Sequence, residues 1–194
     1  GQTPFELVVS DFSGALGPPT HPRRNRYFVV FVDTLTRWPI IIPVKNTSTE
    51  ELIRAIETIV PQHGHFQRLV SDQGTAYSSK KFQQYCVKND IEHHMVAAGN
   101  HKANGLAERT VRAVHDTIVK LANGDYKRWD ELIPTVEFIL RTTPNYKTNV
   151  TPAMALYGRE LKKGTMEVKF PTETALDERT VAVKRQAAQK ALKE

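Results

Sequence analysis

Three acidic residues stand where carboxylates can do metal-assisted chemistry. Asp11 closes an apolar run, Phe5-Glu6-Leu7-Val8-Val9-Ser10, and Asp72 closes another, Phe66-Gln67-Arg68-Leu69-Val70-Ser71. Glu108 lies in Asn104-Gly105-Leu106-Ala107-Glu108-Arg109, at the head of a long helical pattern and about thirty-five residues beyond Asp72. Two carboxylates at strand ends and one on a helix can gather around a pair of divalent cations, the machinery that cuts and joins phosphodiester bonds. Oxygen-only ligands favour Mg²⁺ or Mn²⁺ over zinc. Without cations among them, three such carboxylates repel one another. Chemistry of this kind needs no Ser/His or Cys/His nucleophile, because no covalent enzyme intermediate is formed.

The elements that must position these acids can be read from local pattern. The first strand is expected at Glu6 to Asp11, followed by a loop rich in Gly, Pro and Arg. Arg26–Thr34 and Pro39–Val44 read as the second and third strands, rich in Val, Ile and Phe and with little polar alternation, as in strands covered on both faces. Ser48 with Glu51 three residues later marks a helix start. Leu52, Ile56, Ile59 and Val60 then recur at helical period until His63-Gly64. Gln67–Ser71 is a short strand leading to Asp72, Lys80–Lys88 a helix, and Ile91–Val96 a fifth strand. Ala103–Leu121 is helical and stops at Asn123-Gly124. Arg128–Thr142 reads as one further helix and Pro152–Tyr157 as a short last one. Three strands, then helix, strand, helix, strand and helices, is an α/β order.

Composition bounds the partners. At 194 residues the chain suits one domain with a sizeable core and an appended tail. No apolar run approaches the ~20 residues of a membrane helix, and the start lacks the features of a signal peptide. The net charge of +6 favours a polyanionic partner. Cys86 is the single cysteine, so no internal disulfide and no two-Cys zinc site can form. His63/His65 and His93/His94 are better read as surface or half-buried histidines than as metal ligands. Asp33 ends a strand too, but a role at a strand-to-turn junction fits it better than catalysis. The run Arg23-Arg24-Asn25-Arg26 reads as a solvated loop, with DNA binding as the alternative. Residues 1–159 are expected to form the core, 160–173 a linker, and 174–194 a helical extension toward a further domain.

Five blocks in order carry a family resemblance: the segment around Asp11, Tyr27–Asp33 with Thr36-Arg37-Trp38, Val70–Tyr77, Ala103–Arg109, and Trp129 with Thr143-Pro144-Asn145 through Thr151–Arg159. Together they resemble the catalytic core of a retroviral-type integrase, and within that group the integrase of gypsy-type LTR retrotransposons. Gly99-Asn100-His101-Lys102-Ala103 departs from relatives, many of which have a His-Pro-Gln-like run there. The resemblance implies an RNase H-like fold, a five-stranded mixed sheet flanked by helices in which the first strand is central and the fourth lies beside it.

It also implies a function. Asp11, Asp72 and Glu108 become the catalytic and metal-binding triad, with two Mg²⁺ or Mn²⁺ ions bridged by Asp11. The reactions become cleavage near the 3′ end of the element's DNA and transfer of that end to target DNA. Residues at i+4 and i+7 share a helix face with Glu108. Those are Arg112 and His115; Asn104 lies one turn earlier and Lys102 in the preceding loop, and the resemblance implies that these four contact DNA. Implied partners are double-stranded DNA and further copies of the chain, in a homodimer or larger assembly. The implied location is the nucleus, with a cytoplasmic particle stage for an active element. Full-length integrases usually carry an N-terminal zinc module with two His and two Cys, which one cysteine cannot build, so the chain reads as an excised core or one that has lost that module. Two other readings stay open: a host-domesticated derivative that binds DNA or protein without catalysis, and a ribonuclease H-type nuclease. The Asp72-to-Glu108 spacing argues against the last.

Overall fold

The computed structural model describes residues 1–96, 101–162 and 164, with residues 101–103 described by backbone alone. Its strands are β1 (Leu7–Phe12), β2 (Tyr27–Asp33), β3 (Pro39–Val44), β4 (Arg68–Ser71) and β5 (Glu92–Met95). Its helices are α1 (Thr49–His63), α2 (Thr75–Ser78), α3 (Lys80–Lys88), α4 (His101–Ala122), α5 (Ile133–Thr142) and α6 (Pro152–Tyr157). The strands form one five-stranded sheet in the order β3-β2-β1-β4-β5. β1 pairs antiparallel with β2 and parallel with β4, and β4 pairs parallel with β5. This is the mixed sheet of the RNase H-like fold.

Period-two alternation sends neighbouring side chains to opposite faces and so builds two cores. Val8, Val29, Phe31 and Leu69 join Leu52, Ile56 and Phe82 from α1 and α3 on one face. Val9, Phe28, Val30, Val32 and Ile41 join Val114, Ile118, Trp129 and Val136 on the other, beneath α4 and α5. β2 is buried along nearly its whole length, which is why its sequence lacks polar alternation. Fully burying one such apolar side chain contributes about 1.5–3 kcal/mol, so the sheet is clamped from both sides.

Local signals set most boundaries. Ser48 Oγ accepts from the Glu51 N–H and starts α1; Gly64, at φ 72°, ends it. Two departures have physical causes. The segment expected as one helix from Arg128 is a 3-10 turn over Trp129–Leu132 followed by α5. Pro134 has no N–H to give an upstream carbonyl, so it is favoured in a first helical turn, where that N–H would have no partner anyway. The four-residue α2 was not expected, being too short to show periodicity. Most of the expected linker and the whole 174–194 extension lie outside the described residues.

The exposed edge of β3 is covered by α5. The Ile41 N–H donates to Glu137 Oε1 at 2.9 Å, and the Arg141 guanidinium donates to the Pro39 carbonyl at 3.0 and 3.2 Å. Arg141 also pairs with Glu137 at 3.0 Å and lies over the Trp38 ring at 4.3 Å. Backbone groups that would otherwise be open to another strand are thereby occupied.

Candidate active site

β1 and β4 carry the two aspartates by one rule of register. Leu7 pairs with Arg68, Val8 with Leu69 and Val9 with Val70. The same one-to-one register, continued two places further, sets Asp11 beside Asp72. Adjacent strands lie about 4.8 Å apart, and residues paired in a parallel ladder point to the same face. Asp11 shares the parity of Val9, and Asp72 that of Val70, both of which pack on the α4 side. Both carboxylates therefore face the helix that carries Glu108, and α4 packs across β1, β2 and β4.

Electrostatics report the convergence. The Asp11 carboxyl is pushed up to about 7, first by burial, then by the negative charge of Asp72, with Glu108 adding a smaller push. A backbone hydrogen bond from Phe12 acts the other way. Asp72 is anchored by its own turn: Oδ1 accepts from the Gly74 N–H at 2.9 Å. A Cβ on Gly74 would stand 3.0 Å from that same oxygen, so only glycine leaves the carboxylate its place.

Glu108 is exposed on the first turns of α4. Among the described residues no three His, Cys, Asp or Glu side chains form one ligand set for a metal ion. The structure thus brings Asp11 and Asp72 together and sets Glu108 within electrostatic reach of them, short of a closed triad. The donor chemistry nonetheless fits a hard divalent cation: oxygen ligands only, with one carboxyl already raised by burial and then by the charge of its neighbours.

The residues expected to contact DNA divide. Arg112 and His115 are exposed along the Glu108 face of α4. His115 Nδ1 lies 3.7 Å from Asp116 Oδ1. Asn104, in contrast, is only 5% exposed, and its Oδ1 is buried without a hydrogen-bond partner among the described residues. The Lys102 side chain lies outside the described residues. Arg37, in the β2–β3 turn, is held below its ordinary value by burial and then by the charge of Arg109, which marks a second positive region near the head of α4.

Asp33 has a structural role. It is buried, and its carboxylate accepts from the Phe5 N–H, the Thr36 N–H and the Thr36 hydroxyl. His93 is bonded to Ser71 Oγ and His94 to Glu92 Oε1, while His63 stacks on Phe5. Sequence reasoning assigned no role to Tyr77, which lies directly beneath the acidic pair. Its signal is a tyrosine five residues beyond Asp72 together with a serine before each aspartate.

The model of the integrase core domain matches residues 1–101, more than half of the chain and including both aspartates. The chain belongs to the integrase core domain family. This integrase core is 27% identical over 156 residues to the retrovirus-related Pol polyprotein from transposon 412 of Drosophila melanogaster, covering 80% of the chain. The chain spans only 12–13% of the length of two curated relatives that it matches, this polyprotein and the uncharacterized protein K02A2.6 of Caenorhabditis elegans. In fold it is similar to a chain of the simian T-cell lymphotropic virus intasome in complex with a PP2A regulatory subunit. That likeness has a TM-score of 0.70 at 18% identity, over 91% of this chain and 62% of that one. It is likewise similar to the HTLV-2 integrase catalytic core in complex with magnesium, in its trimeric form, with a TM-score of 0.64 at 20% identity. There the likeness covers 80% of this chain and 99% of that one.

Proposed function

We propose that this integrase core cleaves and rejoins DNA phosphodiester bonds as part of a gypsy-type LTR-retroelement integrase. It would process the 3′ ends of element DNA and transfer them to target DNA. The observation that carries the reading is the in-register pair Asp11 and Asp72, facing α4, with the Asp11 carboxyl raised to about 7 by burial and negative neighbours. Two divalent cations, Mg²⁺ or Mn²⁺, would polarise the scissile phosphate and activate the attacking hydroxyl. Asp11 would serve both ions, and Asp72 and Glu108 one each. The family resemblance and a relative solved with magnesium support that choice.

The chain's own residues set the geometry. The β1–β4 register brings the ends of the two strands side by side, and the Gly74 N–H holds Asp72 Oδ1. α4 presents Glu108 on its first turns, with Arg112 and His115 exposed on the same face to meet phosphates. The working unit is a homodimer or larger assembly on double-stranded DNA. Its place of action is the nucleus, after a cytoplasmic particle stage.

The test is Mn²⁺-dependent cleavage and joining of a branched DNA that mimics the integration product, with Glu108→Gln alongside. Activity in the parent chain that is lost in Glu108→Gln is the expected result. Activity that survives the substitution removes Glu108 from the site. A second reading, a host-retained derivative that binds DNA or protein without turnover, draws on one observation: the three acids do not form a closed ligand set among the described residues. Inactivity with no detectable Mn²⁺ binding would favour it.

A further inference from the structure

The face of the sheet opposite the acids carries its own polar contacts. Ser10 and Ser71, each just before an aspartate, are fully buried there. Ser10 Oγ is hydrogen-bonded to Tyr77 Oη at 2.7 Å. Ser71 Oγ lies 2.9 Å from His93 Nε2 and gives its own proton to the Asp72 carbonyl at 2.9 Å. A hydroxyl has one proton to give, so His93 Nε2 must be the donor in that pair. The Tyr77 ring also packs on Phe12 at 5.6 Å, Phe82 at 5.9 Å and His93 at 6.2 Å.

Tyr77 therefore touches the residues on both sides of Asp11, Ser10 and Phe12. It is itself carried by α2, the helix that follows Asp72. Its hydroxyl ties the end of β1 to the segment leaving β4 at a point where the strand pairing has already stopped at Val9 and Val70. Beyond that point no ladder hydrogen bond holds the two aspartates at a fixed separation. A buried side-chain bond across the gap does so at little entropic cost, because the phenol ring is packed on three sides.

We propose that Tyr77 is a positioning residue that fixes the separation of Asp11 and Asp72 through Ser10, and thereby sets the affinity for divalent metal. The proposal rests on the metal-dependent reading of the site. Residues that orient metal ligands from behind typically govern 10–100-fold in affinity.

Calorimetric titration of the whole chain with Mn²⁺ tests it, with melting temperatures in EDTA alongside. Tyr77→Phe, which removes the hydroxyl and keeps the ring, should weaken Mn²⁺ binding about tenfold. Ser10→Ala should do the same from the other end of the bond, and the double variant should be no weaker than either single one. Tyr85→Phe deletes the hydroxyl of a half-buried tyrosine on α3, bonded to Glu57 Oε1 at 2.6 Å, and should leave Mn²⁺ binding unchanged. Wild-type Mn²⁺ affinity in Tyr77→Phe, with only the EDTA melting temperature lowered, overturns the proposal. So does a double variant whose loss is the product of the two single losses. Absence of Mn²⁺ binding by the unsubstituted chain sinks the metal reading itself and is distinguishable, since it is seen before any variant is compared.

Discussion

A carboxylate raised by its neighbours leaves a pH signature with a definite sign. Asp11 has an ordinary value of 3.8 and is pushed up to about 7 in the folded chain. Below pH 4 it is protonated whether or not the chain is folded. Between about 4 and 7 the unfolded chain releases this proton while the folded chain keeps it, so stability falls as pH rises through that window. Above about 7 the penalty is constant. Asp11→Asn removes it. In EDTA, the melting temperature of Asp11→Asn minus that of the parent should therefore rise from pH 4 to 7 and then level off. A difference that stays flat with pH would mean that Asp11 is neither desolvated nor crowded by negative charge. Gly74 makes a separate prediction at the same scale. Its backbone φ of −53° suits any residue, so Gly74→Ala should change stability by less than about 1 kcal/mol. The added methyl nevertheless displaces Asp72 Oδ1, so Mn²⁺ binding should weaken. Urea melts and Mn²⁺ titration separate the two effects, and unaltered Mn²⁺ affinity would show that the carboxylate finds its place by another rotamer.

At the scale of elements, the Glu137–Arg141 pair on α5 shows what holds the sheet's outer edge. Both side chains are largely buried, and burial raises the Glu137 carboxyl while the Arg141 charge partly offsets it. Arg141→Ala would strand that carboxylate, free the Pro39 carbonyl and uncover the Trp38 face. Breaking a buried pair from one side costs about 3–5 kcal/mol, discounted toward the low end here by the partial exposure of both groups. Chemical denaturation should show a loss of about 3 kcal/mol, and a loss under 1 kcal/mol would reduce the pair to surface decoration. None of this edge protection was legible in the sequence, because Pro39 and Arg141 meet only when β3 and α5 are packed. Elements with strong local signals were legible: the Ser48 cap, the Gly64 stop, the apolar β2, and Lys80–Lys88. The break at Pro134 was legible in principle, since proline marks its own helix start. The capping pattern at Ser48 held only in part, for Glu51 reaches the Lys45 N–H and leaves the Ser48 N–H to Asn46. Of the site, the three acids and their strand-end and helix positions could be read. The burial of Asn104 and the Tyr77 brace could not, because both depend on what packs behind the sheet.

For the whole molecule, the question is how a chain of net charge +6 meets DNA. Its 21 acidic groups are spread among 27 basic ones, so the overall excess says little about where a duplex would lie. Position is more informative. Arg112 is exposed one turn beyond Glu108 on the same helix face, and the buried Asn104 leaves that face to Arg112 and His115. A phosphate contact made by one arginine displaces about one condensed counterion, which appears as the salt dependence of binding and not as sequence preference. Arg112→Ala should therefore weaken binding to duplex ends, lower the slope of log K against log salt by about one unit, and leave the preference among DNA sequences unchanged. Binding measured from low to moderate salt on duplexes of two different sequences checks both the slope and the preference. An Arg112→Ala slope equal to that of the parent would place the DNA elsewhere on the molecule, and the Arg37–Arg109 region beside the same helix would be the next surface to substitute.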